Sequence, residues 1–89
     1  MSNVFIAFQR NEETRCIVDA IVADNPTAIV NLQPAMVKVD VANSLVIRRS
    51  SVEEQLGRPF DLQELHINLI TLTGHIDETD DEFTLSWAH

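Results

Sequence analysis

Val37, Val39 and Val41 alternate with Lys38 and Asp40, and this two-residue period restricts the fold more than any other feature of the chain. Successive side chains leave a strand on opposite sides, so this segment has one dry face and one wet face. The valine face needs a cover, which further strands or a helix with an apolar stripe must provide. Val4-Phe5-Ile6-Ala7-Phe8 is rich in β-formers and reads as one such strand. Residues 28–32 and 45–49 read as two more, while Phe83, Leu85 and Trp87 alternate with Thr84 and Ser86 in a last one. Ala42-Asn43 is expected to turn the chain between neighbouring strands. Residues 67–73 should run extended, with 74–81 as a hairpin connection.

Two helices are expected between these strands. Asn11 can cap the first, with Glu12 and Glu13 favourably placed in its opening turn. Ile17, Ala20 and Ile21 give it an apolar stripe, and Asp24-Asn25-Pro26 ends it, because proline pushes the preceding residue out of the helical region. Ser51 and Glu54 have the spacing of a capping box for a second helix, which Gly57 closes and Pro59 keeps from continuing. Asp61 and Glu64 repeat that spacing for a single turn. The order predicts an α+β fold of two strand–helix–strand–strand units, forming a mainly antiparallel sheet with helices on one face. Residues 1–89 are expected to make a single domain.

Composition narrows the function. With 89 residues, 45% of them hydrophobic, the chain can fill one compact core. A ligand cavity on the order of 300–1,000 Å3 inside it would hollow that core out, so a protein working through its surface is expected. Six basic residues against fourteen acids give a net charge of −8, which excludes a dominant positive field for nucleic acid or anionic membrane. A basic or mixed-charge protein partner suits it better. Cys16 is alone, so it forms no internal disulfide and reads as a packed thiol. The apolar start is interrupted at Gln9 and Arg10, too soon for a signal-peptide core, and no stretch reaches transmembrane length. A cytoplasmic protein is expected.

Candidate chemistry is sparse. Asp77, Glu78, Asp80, Asp81 and Glu82 lack the ligand alternation and internal glycine of a calcium loop, and read as a solvated hairpin tip or a partner-facing patch. His66, His75 and His89 have no close His or Cys companion and read as surface or turn residues rather than ligands. No HExxH, P-loop, GxGxxG or GxSxG pattern occurs. No catalytic, cofactor-binding or metal-binding residue is therefore assigned. Arg48, Arg49 and Arg58 hold half of the positive charge, either to bind a partner carboxylate or to pair with Glu53, Glu54 or Glu64. Ile67 and Leu69 fall out of phase with Ile70 and Leu72, so residues 67–72 carry apolar side chains on both sides; a partner or a loop must cover one of them.

Glu53-Glu54-Gln55-Leu56-Gly57-Arg58-Pro59-Phe60, Gln63-Glu64-Leu65-His66-Ile67-Asn68-Leu69 and Gly74-His75-Ile76, together with Asp24-Asn25-Pro26, resemble the effector (coupling) proteins of soluble diiron monooxygenases. Nearly the whole chain is similar to the effector component of multicomponent phenol hydroxylase, including its ending Asp80-Asp81-Glu82-Phe83-Thr84-Leu85-Ser86-Trp87. The resemblance implies a non-catalytic protein without metal or organic cofactor, expected to be a monomer when active; self-association through the half-apolar sheet is compatible with that role. Its implied partner is a hydroxylase with a carboxylate-bridged diiron site, served by a flavin/iron–sulfur reductase. Motif membership and local charge put Asn25, Arg48, Arg58 and Asn68 on the docking face, while Gly57, Pro59 and Phe60 serve the fold. Three alternatives remain beside this reading. They are an effector of a related toluene monooxygenase, a ferredoxin-like domain that binds a small-molecule regulator, and a small metal-dependent enzyme built on the histidines and the acidic turn.

Overall fold

A computed structural model describes residues 3–87. Strand β1 (Asn3–Gln9) leads into helix α1 (Glu12–Asp24), followed by β2 (Ile29–Leu32), β3 (Met36–Ala42) and β4 (Ser44–Arg48). Helix α2 (Arg49–Leu56) comes next, then a 3-10 turn (Leu62–Glu64) that runs into the short helix α3 (Leu65–Asn68). Strands β5 (Leu69–Leu72), β6 (His75–Glu78) and β7 (Glu82–Ser86) complete the chain.

The α+β class and the antiparallel pairing are as expected, but the strands divide between two sheets, in the orders β2-β3-β1-β5 and β4-β7-β6. The chain changes sheet three times, once through α2 and α3 between β4 and β5, and twice at single residues with left-handed backbone. Asn43 (φ 70°) separates β3 from β4, and Gly74 (φ 102°) separates β5 from β6. Gly74 is required there twice over, because a Cβ would also lie 3.1 Å from Val4 Cγ1 and 3.2 Å from the Ser86 carbonyl.

The alternation read from sequence sets the register of the first sheet. Val4, Ile6 and Phe8 of β1 face Val41, Val39 and Val37 of β3, and all six are buried. Ile17, Val18 and Ile21 from α1 join the same core, with Leu45 and Ile47 from β4, Val52 from α2, and Phe83 and Leu85 from β7. Each side chain of this size contributes about 1.5–3 kcal/mol when fully buried. The far face of β1 is wetter, and there the Lys38 ammonium lies 4.3 Å from the centre of the half-buried Phe5 ring.

Helix ends follow local chemistry, with one exception. Asn11 Oδ1 accepts the Thr14 N–H at 2.9 Å, and Thr14 Oγ1 accepts the Asn11 N–H at 2.9 Å, a reciprocal cap on α1. Gly57 closes α2 in the left-handed conformation (φ 73°), and Asp61 with Glu64 forms the expected box on the 3-10 turn. Ser51 does not cap α2, which begins two residues earlier at Arg49. The pairing of Arg48 with Glu82 carries β4 up to that point, and the Asp81 carbonyl accepts the Arg49 N–H at 2.8 Å, so an early donor of the helix is satisfied from outside.

Two further expectations are corrected. Residues 65–68 are helical, so the extended segment starts at Leu69 and not at Ile67. Residues 75–78 form β6 instead of belonging to a plain hairpin connection; this edge strand is exposed along its length and has no buried alternation to betray it.

Candidate partner-docking surface

Three segments far apart in sequence meet at the start of α1. Glu13, in the first turn of that helix, accepts from Arg58 Nη2 at 2.9 Å through Oε2 and from Asn68 Nδ2 at 3.0 Å through Oε1. Asn68 Oδ1 in turn accepts from Asn11 Nδ2 at 3.0 Å. Arg58 also donates to the Pro59 carbonyl at 3.0 Å and lies 3.8 Å from Glu64, whose other oxygen holds the Asp61 N–H at 3.0 Å. The network therefore fixes α3 and the segment leaving α2 against the N-terminus of α1, where a carboxylate is also favoured by the helix dipole.

Beside this fixed polar patch sit two exposed isoleucines. Ile67 is 69% exposed and Ile70 47%, on either side of the buried Asn68. Apolar groups held at the surface next to oriented hydrogen-bonding groups give a partner both burial and register, the ingredients of a protein interface. Nothing in this constellation is a nucleophile beside a base.

Of the sequence-predicted docking residues, Arg58 and Asn68 are brought together through Glu13. Asn25 is elsewhere, buried at the end of α1. Its Nδ2 donates to the carbonyls of Ile21 (2.7 Å) and Val46 (2.8 Å), and its Oδ1 accepts the Val46 N–H at 3.1 Å. The side chain thus acts as a stand-in strand along the open edge of β4. Arg48 lies on β4, 3.5 Å from Glu82 across the ladder, and Arg49 lies 2.9 Å from Asp81. Both arginines pair with the acidic turn rather than with Glu53 or Glu54. Arg49, Glu53, Asp61, Glu64 and Asp80 line a shallow cleft of about 430 Å3 beside that turn.

The histidines do not converge. His66 stands 3.4 Å from Glu78 with its ring edge-on to Phe83, His75 lies exposed on β6, and His89 falls outside the described residues. Among the described residues no three potential ligands cluster around a metal position. Cys16 is a half-buried free thiol on α1.

Sequence reasoning missed the central position of Glu13, because its partners lie 45 and 55 residues away and nothing local marks such a contact. The isoleucines did leave a signal in the broken apolar phase of residues 67–72.

Comparison with known proteins agrees with this picture of a surface-acting protein. The model of the MmoB/DmpM family matches residues 2–86. The stimulatory component DmpM of phenol 2-monooxygenase from Pseudomonas sp. (strain CF600) is 49% identical over 88 residues, covering 99% of this chain and 98% of its own. A chain in a structure of a phenol hydroxylase–regulatory protein complex superposes with a TM-score of 0.93 at 45% identity, over 98% of this chain and all of that one. The regulatory protein B of soluble methane monooxygenase shares the fold, with a TM-score of 0.75 at 17% identity over 94% of this chain and 64% of its own.

Proposed function

The chain belongs to the MmoB/DmpM family, and on that footing we propose that it is the effector of a phenol hydroxylase, docking on the hydroxylase component and promoting coupled oxygen activation and aromatic hydroxylation. The observation that carries this reading is the end-to-end likeness to a stimulatory component, at 49% identity over 98% of that protein's length. The hydroxylase partner in this proposal holds a carboxylate-bridged diiron site and receives electrons from a flavin/iron–sulfur reductase. The effector itself supplies no catalytic group and works in the cytoplasm; no helix among the described residues is long and apolar enough to cross a membrane.

A protein without catalytic groups changes a rate by binding one state of its partner more tightly than another. The shift it produces is limited to that difference in affinity. A hundredfold effect corresponds to about 2.7 kcal/mol, an ordinary coupling energy. In this proposal Ile67 and Ile70 supply the apolar contact, Arg58 and Asn68 belong to the docking face as Glu13 orients them, and Arg48 contributes at a separate position. Asn25 acts through the fold alone, by holding the edge of β4.

Binding of the purified hydroxylase component, followed by calorimetry or sedimentation, tests the reading. Saturable association that Ile67→Asp weakens supports it. Failure of the folded wild-type protein to associate with the hydroxylase in any redox state rejects it.

A further inference from the structure

A second surface adjoins the first. Between α1 and β2 runs a groove of about 630 Å3, with Val18, Val22, Val30 and Leu32 along its apolar wall. Val22 and Leu32 are 42% and 65% exposed, so the apolar side chains between α1 and β2 are left open along this side. Asn11, which bonds Asn68 in the docking network, also lines the groove, so the two surfaces are continuous.

The strand bordering the groove is unprotected. Every other sheet edge carries a device that discourages pairing. Asn25 occupies the edge of β4, β6 bears His75, Asp77 and Glu78, and the pairing of β5 with β1 is broken by a register irregularity. Strand β2 reads Ile29-Val30-Asn31-Leu32, without charge, proline or bulge, and all four residues are exposed.

Charge supplies the third observation. Among the described residues, Lys38, Arg48, Arg49 and Arg58 each lie within 4 Å of a carboxylate of the chain. Arg10 and Arg15 do not; the Arg10 guanidinium donates to the Gln33 carbonyl at 3.1 Å, and both arginines line the groove. Glu12 and Asp19, one turn to either side of Arg15, also line it without closing to salt-bridge distance.

We propose that β2 accepts an extended segment of the hydroxylase partner as an added strand of the first sheet. The apolar side chains of that segment seat against Val22, Val30 and Leu32, and a carboxylate meets Arg15. Main-chain hydrogen bonds give such strand addition its affinity, and the alternate side chains give it selectivity. A second copy pairing β2 with β2 fits less well, because Ile29-Val30-Asn31-Leu32 offers no carboxylate to Arg15. The inference rests on the effector reading above.

Hydrogen–deuterium exchange of the protein alone and in complex with its hydroxylase tests the proposal, with Leu32→Lys, Val22→Lys and Arg15→Glu as variants at exposed positions. Slowed exchange over residues 28–33 on complex formation, with at least tenfold weaker binding by the variants at unchanged melting temperature, is the expected result. Full-affinity binding with no added protection over 28–33 overturns the strand addition and leaves the effector reading intact. Protection there that grows with the protein's own concentration and not with hydroxylase makes a second copy the occupant, and also overturns it. Absence of any hydroxylase binding removes both readings.

Discussion

Replacing Asn25 with Ala removes three hydrogen bonds while leaving the surface almost unchanged, because Asn25 is only 6% exposed. The Ile21 carbonyl keeps a partner, since the Asn25 backbone N–H already reaches it at 2.9 Å, so little is lost there. Val46 has no such reserve on this side. Its N–H and C=O both turn to Asn25 at the open edge of β4, in a half-buried position that water reaches poorly. Leaving two such groups unmet costs about 2–3 kcal/mol in total. For a domain of this size that corresponds to a fall in melting temperature of roughly 10–20 °C. Asn25→Asp should be at least as damaging at neutral pH, because it keeps the acceptor for Val46 N–H but sets a second oxygen against two carbonyls. Urea denaturation measures the loss directly, as a lower midpoint at constant slope. Hydroxylase affinity, taken at a temperature where the variant is still folded, should stay within twofold of wild type. A stability loss below about 0.5 kcal/mol, typical of surface substitutions, together with a collapse in affinity would refute this reasoning and make Asn25 a contact residue.

Other substitutions separate docking from folding. Ile67→Asp should leave stability within about 0.5 kcal/mol, as surface changes do, yet weaken hydroxylase binding about tenfold or more, the effect of losing an interface anchor; equal affinity in a titration removes Ile67 from the docking face. Glu13→Ala unpins both Arg58 and Asn68, and should cost about 1–2 kcal/mol, mostly through the buried amide of Asn68. An unchanged denaturation midpoint would show that the network does not hold α3. Gly74→Ala should cost about 2–4 kcal/mol from left-handed strain and crowding together, against about 1 kcal/mol for Gly57→Ala, where a Cβ meets nothing within 4 Å. Comparing the two melting temperatures checks this, and equal losses would mean that the approach of Gly74 to Val4 relaxes at no cost.

The sequence carried the first sheet and the long helix clearly, because their signals are local. Val37, Val39 and Val41 show their buried face by alternation, and Asn11, Asn25 and Gly57 mark helix ends through side-chain or backbone chemistry within a turn. Signals misled where a tertiary contact supplied what a local residue was expected to give. Arg49 takes its partner from Asp81 across the second sheet, so α2 starts ahead of Ser51 and needs no serine cap. Leu65, Ile67 and Leu69 imitate a strand alternation, yet the first two are helical, and exposed Ile67 occupies a phase that a strand would have buried. The division into two sheets turns on Asn43 and Gly74, whose left-handed backbone is compatible with an ordinary hairpin until the strand partners are known. The candidate docking surface was half legible. Arg58 and Asn68 stood in the recognised motif, while Glu13, which joins them, lies in the first turn of a helix read only for its cap and its stripe.

The central claim is that this protein raises the yield of an enzyme by binding to it. Its most direct test is phenol hydroxylation by the cognate hydroxylase and reductase, with product formed per NADH consumed recorded as this protein is titrated in. The account predicts a saturable rise in that ratio, shifted to higher concentration by Ile67→Asp with the same plateau. A ratio that stays flat while a control effector restores coupling would contradict it.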